Sequence, residues 1–141
     1  MARIQLDLPA TWLFETTAQV RVTDVNYGGH LGNDAVLSLV HEARVRFLRS
    51  LGVSEQDVGG VGIIMADAAV VYKAEAFAGD ALRIHVGIDD VKRSSLDMLY
   101  QMVRLRDDQE IARAKTGLVF FDYQARKVAR MPQRLAQALG L

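Results

Sequence analysis

The sequence predicts an α+β domain in which a five-stranded antiparallel sheet wraps around one long central helix. Three observations predict it. A run of about eighteen residues after Asn33 carries apolar side chains at helical spacing, and five other stretches read as strands. The links between the last four strands are short, which implies antiparallel neighbours in a meander. The chain of 141 residues is half hydrophobic and 24% charged, which suits one globular domain, residues 1–141, with a core of its own.

The first strand runs over Phe14–Thr23. Ala18, Val20 and Val22 alternate there with Gln19, Arg21 and Thr23, the pattern of a half-buried strand. A turn-rich loop follows, Asp24-Val-Asn-Tyr-Gly-Gly-His-Leu-Gly-Asn33, whose glycines permit tight turns and close approach of a ligand. Asn33 or Asp34 is expected to cap a helix that runs to about Leu51 and stops at Gly52. At 100° per residue Val36, Leu39, Val40, Ala43, Phe47 and Leu51 form a broad apolar face, widened by Leu37 and Leu48. Ser38, His41, Glu42 and Arg49 form the narrow polar stripe, so the helix is expected to be covered on most sides.

Ile63–Lys73 is apolar on both faces, as a covered strand would be. Leu82–Ile88 alternates cleanly, and Leu96–Leu105 and Ile111–Asp122 complete the set. Lys92–Ser95 and Asp107–Gln109 read as hairpin connections. A short amphipathic helix closes the chain at Gln133–Leu139. One face of such a sheet is incompletely covered in a single chain. A homodimer, or a dimer of dimers, is therefore expected to cover it or extend an edge strand.

Composition narrows the function. Basic and acidic residues balance at 17 each, so no overall field gathers nucleic acid. The chain has no cysteine, which removes disulfides, thiolate catalysis and cysteine-bound zinc. The three histidines show no metal-ligand spacing, and no metal is expected. No signal-peptide core and no stretch near the ~20 apolar residues of a membrane helix are seen, so a cytoplasmic protein away from membranes is expected.

Val22-Thr-Asp-Val-Asn-Tyr-Gly-Gly-His-Leu-Gly-Asn33, followed by His41-Glu-Ala-Arg44, resembles the 4-hydroxybenzoyl-CoA thioesterase family of hot-dog-fold proteins. Tyr72-Lys-Ala-Glu-Ala-Phe-Ala-Gly-Asp80 resembles a second family signature, an aromatic residue leading to a Gly-Asp turn before the third strand. The similarity runs from about Phe14 to Asp122. The resemblance implies hydrolysis of an acyl thioester of coenzyme A, or of acyl carrier protein, to free acid and thiol. No cofactor beyond the substrate's own carrier is implied. The rival reading is a non-catalytic hot-dog module that binds or senses acyl-CoA. It is motivated by one departure: the family's usual carboxylate, four residues before the histidine of Gly-His, is replaced by Asn26.

Thioester hydrolysis needs an activated nucleophile, donors for the oxyanion, and a grip on acyl group and carrier. The glycine loop feeds into a helix start, where N–H groups lack partners and the helix dipole is positive. The resemblance puts the oxyanion donor near Asn33. Asn26 cannot take up a proton near neutral pH, but its amide can orient water or hold a carbonyl; otherwise it shapes the loop. His30 is either a base or a brace for the loop. Asp67, placed by alternation on one face with Ile63, Met65, Ala69 and Val71, is expected either to be buried beside apolar groups or to open onto a pocket, as a general base or as the buried partner of Arg44. Glu42 reaches either substrate or Arg46, four residues on. Asp24 is expected to shape the loop through backbone N–H groups. The resemblance puts the Lys92–Arg93 hairpin near the nucleotide phosphates of coenzyme A, which paired cations suit; otherwise it is a solvated turn.

Overall fold

The computed structural model describes residues 1–141. The elements in chain order are β1 (Phe14–Gln19), α1 (Asn33–Ser50), β2 (Gly62–Tyr72), β3 (Ala81–Asp89), β4 (Ser95–Arg104), β5 (Gln109–Asp122), β6 (Lys127–Val128) and α2 (Gln133–Ala138). All strand pairs are antiparallel, in the order β1-β3-β4-β5-β2, and the two-residue β6 adds a sixth strand beside β5.

The sheet curls around α1. Leu82, Ile84 and Val86 of β3, Met98, Tyr100 and Met102 of β4, and Ala114, Leu118 and Phe120 of β5 face Val36, Leu39, Val40, Ala43 and Phe47 in one continuous core. The helix stripe Ser38, His41, Glu42 and Arg49 is exposed, as its spacing predicts, and Leu37 joins it at 37% exposure.

Four expectations change. The first strand ends at Gln19, because the chain turns into a 3-10 turn at Val22–Asp24 that the Asp24 carboxylate closes on the backbone N–H of Arg21 (2.9 Å). Val22 thereby leaves the sheet and is 82% exposed. The cap of α1 is Gly32, with extended backbone and no side-chain bond, so neither Asn33 nor Asp34 caps. The last four strands are no simple meander: β3, β4 and β5 follow one another, but β2 pairs with β5 at the sheet edge. The link from Lys73 to Asp80 crosses the open end of the sheet, where Leu31 N–H bonds the Ala76 carbonyl (2.7 Å). Finally, β2 is covered on neither face along its middle, where Ile64, Met65, Ala66 and Asp67 are exposed.

The outer face of the sheet carries an arm, residues 1–12. Trp12 stacks on His85 (ring centroids 5.4 Å), and the Leu6 carbonyl accepts a bond from Arg113 Nη1 (2.9 Å). Met1 to Ile4 end beside Val70, Val71 and Tyr72.

Candidate active site

The site is built at the N-terminus of α1. Asp24 fixes the approach, since its carboxylate takes three bonds from the backbone and side chain of Arg21, and its carbonyl accepts Gly32 N–H (2.9 Å). The Arg21 guanidinium holds the Asp24 carboxyl below the usual carboxylate range, against a smaller opposing effect of burial. From there the loop turns tightly. Asn26 N–H bonds the His30 carbonyl, Gly29 N–H bonds the Asn26 carbonyl, and the Asn26 side-chain oxygen accepts Gly28 N–H (2.9 Å). A Cβ at Gly28 would lie 3.1 Å from His30 Nε2 and 3.2 Å from Asn26 Oδ1. Glycine is thus what lets imidazole and amide close on one stretch of backbone. With its oxygen engaged, Asn26 keeps the NH₂ group as a free donor.

Asn33 opens the helix. The first N–H groups of a helix have no intrahelical partner. Here only that of Ala35 is engaged, by the Gly32 carbonyl (3.1 Å), which leaves Asn33 and Asp34 N–H to receive an anion. The Asn33 carbonyl accepts the Tyr72 hydroxyl (3.2 Å), which ties the loop to the end of β2. The loop therefore brings Asn26, His30 and Asn33 together. Glu75, which sequence reasoning did not single out although it lies in the quoted Tyr72–Asp80 stretch, stands 4.0 Å from His30 Nε2.

The remaining predicted residues lie elsewhere. Glu42 pairs with Arg46 (3.2 Å), whose guanidinium also reaches Thr16 and the Thr17 carbonyl. It lines an open groove beside β1 with Ser38, Ala18 and Gln19.

Asp67 is not buried; its side chain is 63% exposed. A bulge between Met65 and Asp67 adds one residue to β2, and a shift of one reverses which face every later side chain takes. Ile63 and Met65 therefore face inward opposite Phe120 and Leu118, whereas Asp67, Ala69 and Val71 face outward opposite Gly117, Lys115 and Arg113. There Asp67 pairs with Lys115 (2.7 Å) and accepts Gly117 N–H (3.1 Å), over a strand position where any Cβ would collide with its carboxylate. Lys115 holds its carboxyl below the usual range. Arg44 is its partner in nothing. That guanidinium, with 5% of its side chain exposed, bonds Glu55 (3.1 Å) and the Tyr100 hydroxyl (3.3 Å), which in turn meets Thr116 (2.9 Å). Burial pushes the Tyr100 phenol up, so it stays protonated.

Lys92 and Arg93 sit on the β3–β4 hairpin, with Lys92 3.6 Å from Asp90 and exposed. The hairpin and the Asn26 loop occupy opposite ends of the sheet. β3 begins at Ala81 beside Gln19 and runs to Asp89, roughly 27 Å away at strand rise.

A helix cradled by a curled antiparallel sheet, entered through a glycine-turned loop that leaves amides free, is the hot-dog arrangement of an acyl-CoA thioester hydrolase. The chain belongs to the thioesterase-like superfamily, whose family model matches residues 20–139. It is 28% identical over 123 residues to a Synechocystis sp. protein named 1,4-dihydroxy-2-naphthoyl-CoA hydrolase, covering 85% of this chain and 89% of that one. The crystal structure of a 1,4-dihydroxy-2-naphthoyl-CoA thioesterase from Synechocystis superposes with a TM-score of 0.83 at 27% identity, over 90% of this chain and 95% of the other. A gentisyl-coenzyme A thioesterase shares the fold with a TM-score of 0.79 at 19% identity, over 89% and 99% of the two chains. The chemistry of the class is hydrolysis of the thioester to acid and thiol. No helix of this chain is long and apolar enough to cross a membrane.

Proposed function

We propose that this protein hydrolyses a hydroxyaryl-CoA thioester as a homodimer in the cytoplasm, with no cofactor beyond the substrate's coenzyme A. The cluster of His30, the Asn26 amide and the unpaired Asn33 and Asp34 N–H groups carries the proposal. The acyl class follows the Synechocystis relative, whose name specifies a dihydroxynaphthoyl group. In the reaction, water bonds to the carbonyl carbon and gives a proton to His30, with the Asn26 NH₂ orienting the water or the carbonyl. The negative oxygen is received by the two N–H groups at the positive end of α1. Collapse breaks the C–S bond, and the sulfur takes the proton back from His30.

The edge strand supports the dimer. β2 is eleven residues long and lies at one edge of the sheet, with Ile64, Met65, Ala66 and Ala68 exposed along it. Such an edge invites another strand. Antiparallel pairing of β2 with its copy reverses the ends of the second sheet. The partner's Lys92–Arg93 hairpin is then carried to the end where the loop lies, and a nucleotide held there joins one protomer's amides to the other's cations. A second pair of protomers would make a dimer of dimers.

Thiol release measured over a panel of aryl-CoA and straight-chain acyl-CoA substrates tests the proposal. His30→Gln keeps a donor and removes the base. It should lower kcat by about a hundredfold or more, the range of general-base loss, with KM little changed. A folded His30→Gln protein with undiminished kcat would remove His30 from the chemistry.

A further inference from the structure

The geometry points to Glu75 as a positioning residue for His30, one that holds the imidazole in a single tautomer and balances its charge once it has taken the proton from water. The proposal rests on the reading of His30 as the base and deepens it, since it names the group through which that base works.

An imidazole beside a neutral amide lacks two things as a base. Its proton occupies either ring nitrogen until a hydrogen bond fixes one of them. The cation formed in the reaction then needs a counter-charge, and an asparagine has none to give. The carboxylates of the loop do not supply it. Asp24 is engaged by Arg21 through three bonds. Asp34 folds over Gly32, where a Cβ would lie 2.8 Å from its Oδ1. The carboxylates that come within 4.0 Å of a histidine nitrogen are Glu75 at His30, Glu55 at His41 and Glu15 at His85.

Glu75 is placed by its backbone. It lies in the link that crosses the open end of the sheet, and that link is pinned on both sides of it. The Glu75 carbonyl accepts Arg104 Nη1 (2.8 Å), and the next carbonyl, that of Ala76, accepts Leu31 N–H (2.7 Å). Arg104 is buried at the end of β4 and is itself held by two bonds to Asp107, each 3.0 Å. Ala76 is completely buried. Leu31 follows His30 directly, so the second bond sets link and loop side by side with Glu75 at the imidazole. No lysine or arginine nitrogen lies within 4.0 Å of the Glu75 carboxylate, so no ion pair competes for it.

The nitrogen that faces Glu75, at 4.0 Å, is Nε2, the same atom that lies 3.1 Å from where a Cβ at Gly28 would be. That is ion-pair reach and longer than a hydrogen bond, but catalytic bonds are often long without substrate and tighten when it binds. With Nε2–H given to Glu75, the lone pair is on Nδ1. The proton of water passes to Nδ1 as the water oxygen bonds to the carbonyl carbon. The imidazolium then faces the carboxylate until Nδ1 returns its proton to the sulfur. Glu75 neither gains nor loses a proton. Its side chain is 65% exposed, so solvent screens the pair, and the effect is set at about tenfold, below the hundredfold of losing the base itself.

The test is thiol release from the acyl-CoA of the panel that the wild type cleaves fastest, with Glu75→Gln made in the wild type and in His30→Gln. Glu75→Gln keeps the size and an acceptor and removes the charge. It should lower kcat about tenfold with KM within about twofold, and leave the thermal midpoint unchanged, because backbone bonds hold the link. In His30→Gln it should lower kcat by less than about twofold, since nothing remains for it to act through. Glu75→Ala, which removes the acceptor as well, should be no faster than Glu75→Gln, and it carries the test if the glutamine variant fails to fold. Equal loss in both backgrounds, or a raised KM with kcat intact, overturns the assignment and leaves His30 as the base. So does an undiminished kcat in Glu75→Gln. An undiminished kcat in His30→Gln overturns the reading of the base, and this assignment with it.

Discussion

Replacing Tyr100 by Phe removes a single oxygen from the middle of the molecule. That oxygen serves two buried groups: Arg44 Nη1 at 3.3 Å and Thr116 Oγ1 at 2.9 Å. Tyr100 and Thr116 are fully buried and Arg44 nearly so. Loss of the hydrogen bond to the charged guanidinium costs about 1.5 to 3 kcal/mol, and an unsatisfied buried threonine hydroxyl about 1 to 3 kcal/mol. Rotation of the threonine hydroxyl toward a carbonyl and small shifts of Arg44 recover part of that, so Tyr100→Phe should destabilise by about 3 kcal/mol. At this chain length the midpoint of thermal unfolding should fall by roughly 6–12 °C. Removing both polar partners is gentler than removing one, because nothing is then left unpaired on the threonine side. Tyr100→Phe with Thr116→Val should therefore cost about 1 kcal/mol less than the sum of the two single changes. Urea unfolding at one fixed protomer concentration measures this, since assembly makes stability depend on concentration. A Tyr100→Phe protein within about 0.5 kcal/mol of wild type, with an unchanged denaturant slope, would refute the claim that this hydroxyl organises the Arg44 site.

Three further outcomes are expected. Light scattering at micromolar concentration should give at least twice the 15.6 kDa of one chain, and a stable monomer would refute pairing through β2. Lys92→Ala with Arg93→Ala should raise KM for acyl-CoA and weaken its salt dependence while sparing short thioesters that lack the nucleotide; equal loss on both would mean a role in folding. Asp24 is held below its ordinary 3.8 by Arg21, so its contribution to stability is complete above that value and is lost as pH falls through the lower folded one. Between pH 5 and 3 the wild type should lose more thermal stability than Asp24→Asn, and parallel curves would contradict the pairing.

Local pattern carried the sequence reading where one element's own alternation decides its burial. Leu82, Ile84 and Val86 are completely buried as alternation requires, and the helix stripe from Ser38 to Arg49 emerged on the exposed side. The loop residues Asn26, His30 and Asn33 lie together in space because they are also close in sequence. The failures are non-local. The bulge after Met65 leaves no mark on alternation in a strand so uniformly apolar, and it sends Asp67 to the other face. Pairing of β2 with β5 rather than β3 joins segments some fifty residues apart, as the bond between Asp67 and Gly117 illustrates. The Arg44, Glu55 and Tyr100 network spans three elements, so no window along the chain contains it. Glu75 is an ordinary exposed glutamate until the crossing link sets it beside His30.

The N-terminal arm has a consequence in time. Residues 1–12 leave the ribosome before any of the strands they rest on. Leu6 waits for Arg113, 107 positions later, which at ordinary synthesis rates of roughly 5–20 residues per second is a delay of about five to twenty seconds. Trp12 finds His85 sooner, but the strip it crosses is finished only when β5 closes the sheet. A segment made before every strand of the sheet is thus among the last to dock, and Trp12 stays uncovered until the strip it crosses is complete.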